Sequence, residues 1–172
     1  MKRLLCIAAA AVFLCALIPV SAAAGASGAA IAVRDGVVRV LCSDGDSSYS
    51  GSAFVLSSDR DGTYVATNYH VVEDSDPSTV QVLDHKGDTT SADIEFYSDS
   101  YDLCVLKTQG PLMGVATVSL YPQGDAAVGN EVYALGFPGA GDTLLDDLGY
   151  KVEDITVTNG IMIQNLRLTI VW

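Results

Sequence analysis

Positive charge is scarce in this chain. Nine lysines and arginines stand against 21 aspartates and glutamates, for a formal net charge of −12 over 172 residues. Such a balance argues against a surface that neutralises phosphates, so nucleic acid and anionic membrane are not expected partners. Most of the acids fall in turns such as Asp44-Gly45-Asp46 and Glu73-Asp74-Ser75-Asp76, where they read as solvated charge that aids solubility. Histidine is rarer still, at two residues, so any neutral-pH proton chemistry by imidazole falls to His70 or His85. Gly-rich phosphate loops, clusters with metal-ligand spacing and convincing amphipathic helices are missing, and neither metal nor cofactor is expected. Serine ends at Ser119 and cysteine at Cys104, which bears on the chemistry below.

What the chain does have is apolar residues, at 49%, and 16 glycines. That is the profile of a strand-and-turn protein with a core of its own, sized for one ordinary domain or two small barrels.

The first 22 residues read as an export signal. Lys2 and Arg3 make a short basic start, residues 4–20 are almost wholly apolar, and Val20-Ser21-Ala22-Ala23-Ala24 supplies small residues for cleavage after Ala22 or, as a second option, Ala24. An uncleaved membrane anchor is the rival reading, because the run is only marginally long enough to span a bilayer. Leu14 before Cys15 argues against a lipoprotein site. Removing Lys2 and Arg3 takes the formal charge from −12 to −14. Cys6 and Cys15 leave with the signal. Cys42 and Cys104 remain, each inside an apolar strand, where a disulfide and two buried thiols are both natural and free core thiols are the favoured reading.

Residues 23–35 are small and expected to be loose. Six short strands follow, at 36–42, 52–57, around Tyr64, and at 79–83, 92–97 and 103–107. Asp59-Arg60-Asp61-Gly62 is a hairpin turn, and further turns fall at 84–88 and 98–100. The regular spacing predicts a closed antiparallel barrel over residues 36–119. Gly110-Pro111 and Tyr121-Pro122-Gln123-Gly124 punctuate a linker. A second unit over 120–172 has strands at 131–136, 154–163 and 166–171, too few to close a barrel.

The chemistry concentrates at two strand ends. Tyr64-Val65-Ala66-Thr67-Asn68-Tyr69-His70-Val71-Val72 reads as a strand that stops at a histidine, with two valines to anchor it. A histidine held on a rigid element suits general-base work, although a partly buried surface histidine is the plain alternative. Tyr101-Asp102-Leu103-Cys104-Val105-Leu106-Lys107 opens a strand on an aspartate that can accept from the far ring nitrogen and orient the base. Asp99 competes for that role but lies in the preceding turn. His85, between Asp84 and Lys86, reads as surface.

At these residues the chain resembles the chymotrypsin-fold serine proteases, in particular the bacterial trypsin-like peptidases of Deg/HtrA type. Gly51-Ser52-Ala53-Phe54 resembles that family's Gly-Ser-Gly-Phe strand. Thr67-Asn68-Tyr69-His70-Val71 resembles its Thr-Asn-x-His-Val motif, and Asp102-Leu103-Cys104-Val105-Leu106-Lys107 its Asp-Leu-Ala-Val-Leu-Lys strand. Leu135-Gly136-Phe137-Pro138 resembles its strand ending in Gly-x-Pro, and Val157-Thr158-Asn159-Gly160-Ile161 its Val-Thr-x-Gly-Ile strand. Five matches in family order imply an all-β, chymotrypsin-like architecture, the first barrel complete and the second partial, behind a signal peptide. They also imply an exported, bacterial serine endopeptidase acting on protein or peptide substrates, with His70 as base and Asp102 as orienter.

One departure matters. The family's nucleophile lies in a Gly-Asn-Ser-Gly-Gly-Pro loop beyond the Gly-Ile strand, and residues 162–172 do not contain it. No serine or cysteine nucleophile is expected in the second unit, and the chain as written is expected to be inactive. Ser52 is the only substitute considered, and the resemblance gives it a structural place. The alternatives are a secreted, non-catalytic binding barrel and a truncated, non-functional product.

Overall fold

The computed structural model describes Gly28 and residues 30–119, 127–137 and 155–162. The expected signal peptide at 1–22, the turn at 121–124, the strand at 166–171 and the divergent tail lie outside the described residues. Residues 30–33, within the segment expected to be loose, are helical and run into a 3₁₀ turn at Arg34–Gly36, with Ala30 buried.

Six strands close into an antiparallel barrel in the order β1-β2-β3-β6-β5-β4. They are β1 (Val37–Ser43), β2 (Ser48–Ser58), β3 (Thr63–Thr67), β4 (Gln81–Leu83), β5 (Thr89–Ser98) and β6 (Leu103–Thr108). All six expected strands are present. β2 and β5 are longer than expected, because their polar ends remain paired, Ser48 with Ser43 and Thr89 with Leu83. Each also carries a register shift, at Val55/Ser57 and Ile94/Phe96, of the sort that bends a strand and increases its twist, as a small barrel requires. The 59–62 turn closes as expected, with Asp59 N–H donating to Gly62 O at 3.0 Å.

Period-two patterning fills the barrel. Val38, Val40 and Cys42 of β1 point in, with Val55, Val65, Val82, Cys104 and Leu106 from the other strands, all nearly fully buried. β1 is unusual in being buried on both faces. Its alternate residues Val37 and Leu41 pack outward with Leu83, Leu135, Phe137 and Ile155. That double burial is why the strand reads as a near-continuous apolar run. Apart from Leu83 of β4, these outer partners lie in or next to an antiparallel pair of β7 (Glu131–Gly136) and β8 (Thr156–Ile161), paired from Glu131↔Ile161 to Gly136↔Thr156.

Among the described residues Cys42 and Cys104 are both buried and free, so the thiol alternative holds. Burial pushes both thiols up, Cys104 to about 11 from an ordinary 9.0. No helix of the described residues is long and apolar enough to cross a membrane.

Candidate active site

His70 is not on the strand itself. β3 ends at Thr67, Asn68 is extended, and a 3₁₀ turn over Tyr69–Val71 carries the histidine. Four contacts hold that turn. Val72 N–H donates to Tyr69 O at 2.9 Å, and the Val72 side chain enters the core at 2% exposure. The Cys42 thiol donates to Val71 O at 3.1 Å. Val71 also packs over Gly51, where a Cβ would stand 2.5 Å from Val71 Cγ2. The glycine of the Gly-Ser strand is therefore what lets the histidine turn lie down on β2.

Asp102 stands at the mouth of β6 with φ +47°, the one described non-glycine residue in the left-handed region. Aspartate tolerates that region better than most residues, and the kink ends the 99–102 turn, where Asp102 N–H donates to Asp99 O at 3.0 Å. Its carboxylate meets the histidine turn at several points. Oδ1 accepts from His70 N–H at 2.9 Å, and Oδ2 lies 2.7 Å from His70 Nδ1. Asn68 Nδ2 donates to Asp102 O at 3.0 Å and to Oδ2 at 3.2 Å. The His70 backbone N–H first, and its ring second, hold the Asp102 carboxyl below its ordinary range. An ionised carboxylate has no proton to give, so the proton between the two belongs to Nδ1 and the Nε2 lone pair is free to act as a base. The pair is open to solvent, with side-chain exposures of 63% for His70 and 44% for Asp102. Its ion-pair strength is therefore that of a surface contact, and its value lies in orientation.

The sequence thus pointed to two residues that the fold brings together. In the sequence Asn68 reads only as part of a motif, and its role as a clasp becomes visible once its amide is seen on Asp102. Its position two residues before the histidine was the available signal. Cys42, a core residue by its sequence, also anchors the turn. Asp99 contributes a backbone carbonyl, with no side-chain bond to His70 among the described contacts. His85 is half-buried rather than on the surface, and its Nδ1 is enclosed, because the 84–88 turn packs near Gly114.

Ser52, the considered substitute nucleophile, is engaged elsewhere. Its Oγ accepts from Phe137 N–H at 2.7 Å, joining the barrel to the hairpin. Gly136 makes that approach possible, since a Cβ there would stand 2.7 Å from Ser52 Oγ. A cleft of about 610 Å³ flanks His70 and is lined by Leu41, Tyr49, Ser50, Val71 and Gln81 among others. Among the described residues, no group of three or more His, Cys, Asp or Glu side chains is placed to hold a metal ion.

A closed six-stranded antiparallel barrel with a packed second hairpin is a chymotrypsin-like fold. The trypsin-like peptidase domain family matches residues 51–167, and the chain belongs to that family. Among solved structures, the chain is similar to a serine endoprotease from Yersinia pestis, with TM-score 0.62 and 24% identity over 81% of this chain. The match spans 44% of that protein's chain, less than half its length. No curated protein matches.

Proposed function

We propose that these residues form the base-and-orienter half of a serine endopeptidase site acting on protein or peptide substrates. The observation that carries the reading is the double grip of Asp102 on His70, through both its backbone N–H and its ring Nδ1. In that role Nε2 would take the hydroxyl proton from an attacking serine, and Asp102 would stabilise the imidazolium that results. The proton would then pass from Nε2 to the departing amine.

The family's nucleophile loop is not among these 172 residues: no serine follows Ser119, and the Oγ of Ser52 accepts from Phe137 N–H. The 172-residue chain by itself is accordingly proposed to be inactive. Losing the nucleophile removes the acyl-enzyme route, and losing an oxyanion donor alone costs about 10²–10³ in rate. Casein hydrolysis by the purified chain, run beside a serine-directed fluorophosphonate probe, tests this. Neither turnover nor labelling is expected. Labelling that maps to Ser52 or another early serine would sink the reading of the site.

Export follows from residues 1–22 as a proposal of its own. N-terminal sequencing of chain recovered outside the cytoplasm should begin at Ala23. Recovery of the intact N-terminus in the membrane fraction would favour the anchor instead.

A second reading, a secreted barrel that binds without catalysis, draws on the cleft beside His70. Monomeric, soluble behaviour with saturable peptide binding and no turnover would favour it.

A further inference from the structure

Tyr69 lies between the two residues that grip Asp102, with Asn68 before it and His70 after it. Its ring stacks on Tyr97 of β5, with centroids 4.5 Å apart and an angle of 11° between planes. Tyr97 pairs with Cys104 of β6, and Cys104 pairs in turn with Thr67 of β3. The stack therefore crosses β6, the strand that follows Asp102, tying the histidine turn to the strand beyond it. Tyr97 is 54% exposed, far more than a residue placed there to fill the core.

We propose that Tyr97, through Tyr69, is a positioning residue that holds the His70 turn down on Asp102. The proposal rests on the His70–Asp102 reading above. The physical argument is one of coupled equilibria. With the turn seated, Asp102 accepts from Nδ1 and selects the Nδ1–H tautomer. With the turn lifted, the imidazole loses that acceptor and reverts to the distribution of a free ring. A parallel aromatic contact at this spacing favours the seated turn directly, because the face of Tyr69 has no comparable partner once it leaves Tyr97. The four polar contacts at Asp102 are exposed and compete with water, so an apolar contact beside them has leverage that it would lack in a buried site.

The test reads the ring nitrogens of His70 by NMR, through its carbon-bound protons, in the full chain at a pH where the imidazole is neutral. Wild type should show mainly the Nδ1–H tautomer. Tyr97→Ala should shift the tautomer ratio by about two- to tenfold toward Nε2–H, and Tyr97→Phe should restore it, since the stack needs the ring and not the hydroxyl. Core methyl signals of Val38, Val65 and Leu106 report whether the barrel is intact. Tyr97→Thr, which keeps a strand-favouring residue, replaces the alanine variant if that one unfolds. An unchanged ratio in a folded Tyr97→Ala or Tyr97→Thr chain would overturn the proposal. So would failure of Tyr97→Phe to restore it. A wild-type chain lacking the Nδ1–H tautomer would instead overturn the His70–Asp102 pairing itself, which separates the two failures.

Discussion

At Asp102 a single side chain combines a left-handed backbone with bonds from the ring and backbone of His70. Those bonds favour the carboxylate, so its folded pKa lies below the ordinary value of about 3.9. A depressed carboxyl pKa adds stability that is present above the ordinary value and disappears as pH falls through the folded one. Asp102→Asn removes this contribution. Urea unfolding midpoints should therefore favour wild type over Asp102→Asn at pH 7, with the gap narrowing below about pH 4. A gap that stayed constant down to pH 2 would show that the carboxylate is not linked to folding. Asp44 and Asp76, also held low by local hydrogen bonds, add to the same acid sensitivity in both chains and cancel in the comparison.

Among the elements, the 3₁₀ turn at Tyr69–Val71 depends on what lies beneath it. Gly51 on β2 is the close contact, since an added Cβ would overlap both γ-methyls of Val71. Gly51→Ala should lower stability by about 1–3 kcal/mol, the usual cost of overpacking a tight site, and should move the His70 ring signals. Gly110→Ala, with no atom within 4 Å of the added carbon, is the matched control and should stay within about 0.5 kcal/mol of wild type. Equal effects at the two positions, by chemical denaturation, would remove Gly51 from the account. A β-branched run followed by a histidine looks like a strand with a catalytic end, but the ladder stops at Thr67 and the chain enters the 3₁₀ turn after Asn68, whose side-chain amide holds Asp102, 34 positions away.

On the scale of the whole molecule, the described contacts between barrel and hairpin include the apolar cluster of Val37, Leu83, Phe137 and Ile155, Arg39 over the Phe137 ring, and the bond from Phe137 N–H to Ser52 Oγ. Ser52→Ala leaves the Phe137 N–H without that acceptor, at a cost of about 1–3 kcal/mol if the group stays covered. Amide exchange should then accelerate in β7 and β8 while β3 and β6 of the barrel stay protected. Uniform acceleration throughout would mean that the two units unfold as one and that the bond is not a separate joint. All six residues of β8 are exposed, so the hairpin is held to the barrel through Leu135, Phe137 and Ile155 beside it rather than through β8 itself.

The six barrel strands, their turns, the buried thiols and the pairing partners His70 and Asp102 were legible in the sequence. Alternating burial writes itself into period-two patterns, and hairpin turns need particular residues. What the linear order could not carry was every contact made across it. The resemblance gives Ser52 a structural place, but its partner, Phe137 N–H from 85 positions away, appears only in the fold. Gly51 and Gly136 read as parts of strand motifs, and their need to be glycine appears only with the atoms above them. Tyr97 reads as one more strand aromatic until its ring lies on Tyr69. Local chemistry determined which elements form, and only the closing of the barrel decided which side chains meet, because those meetings join strands whose separation in sequence is set by turns and not by the strands themselves.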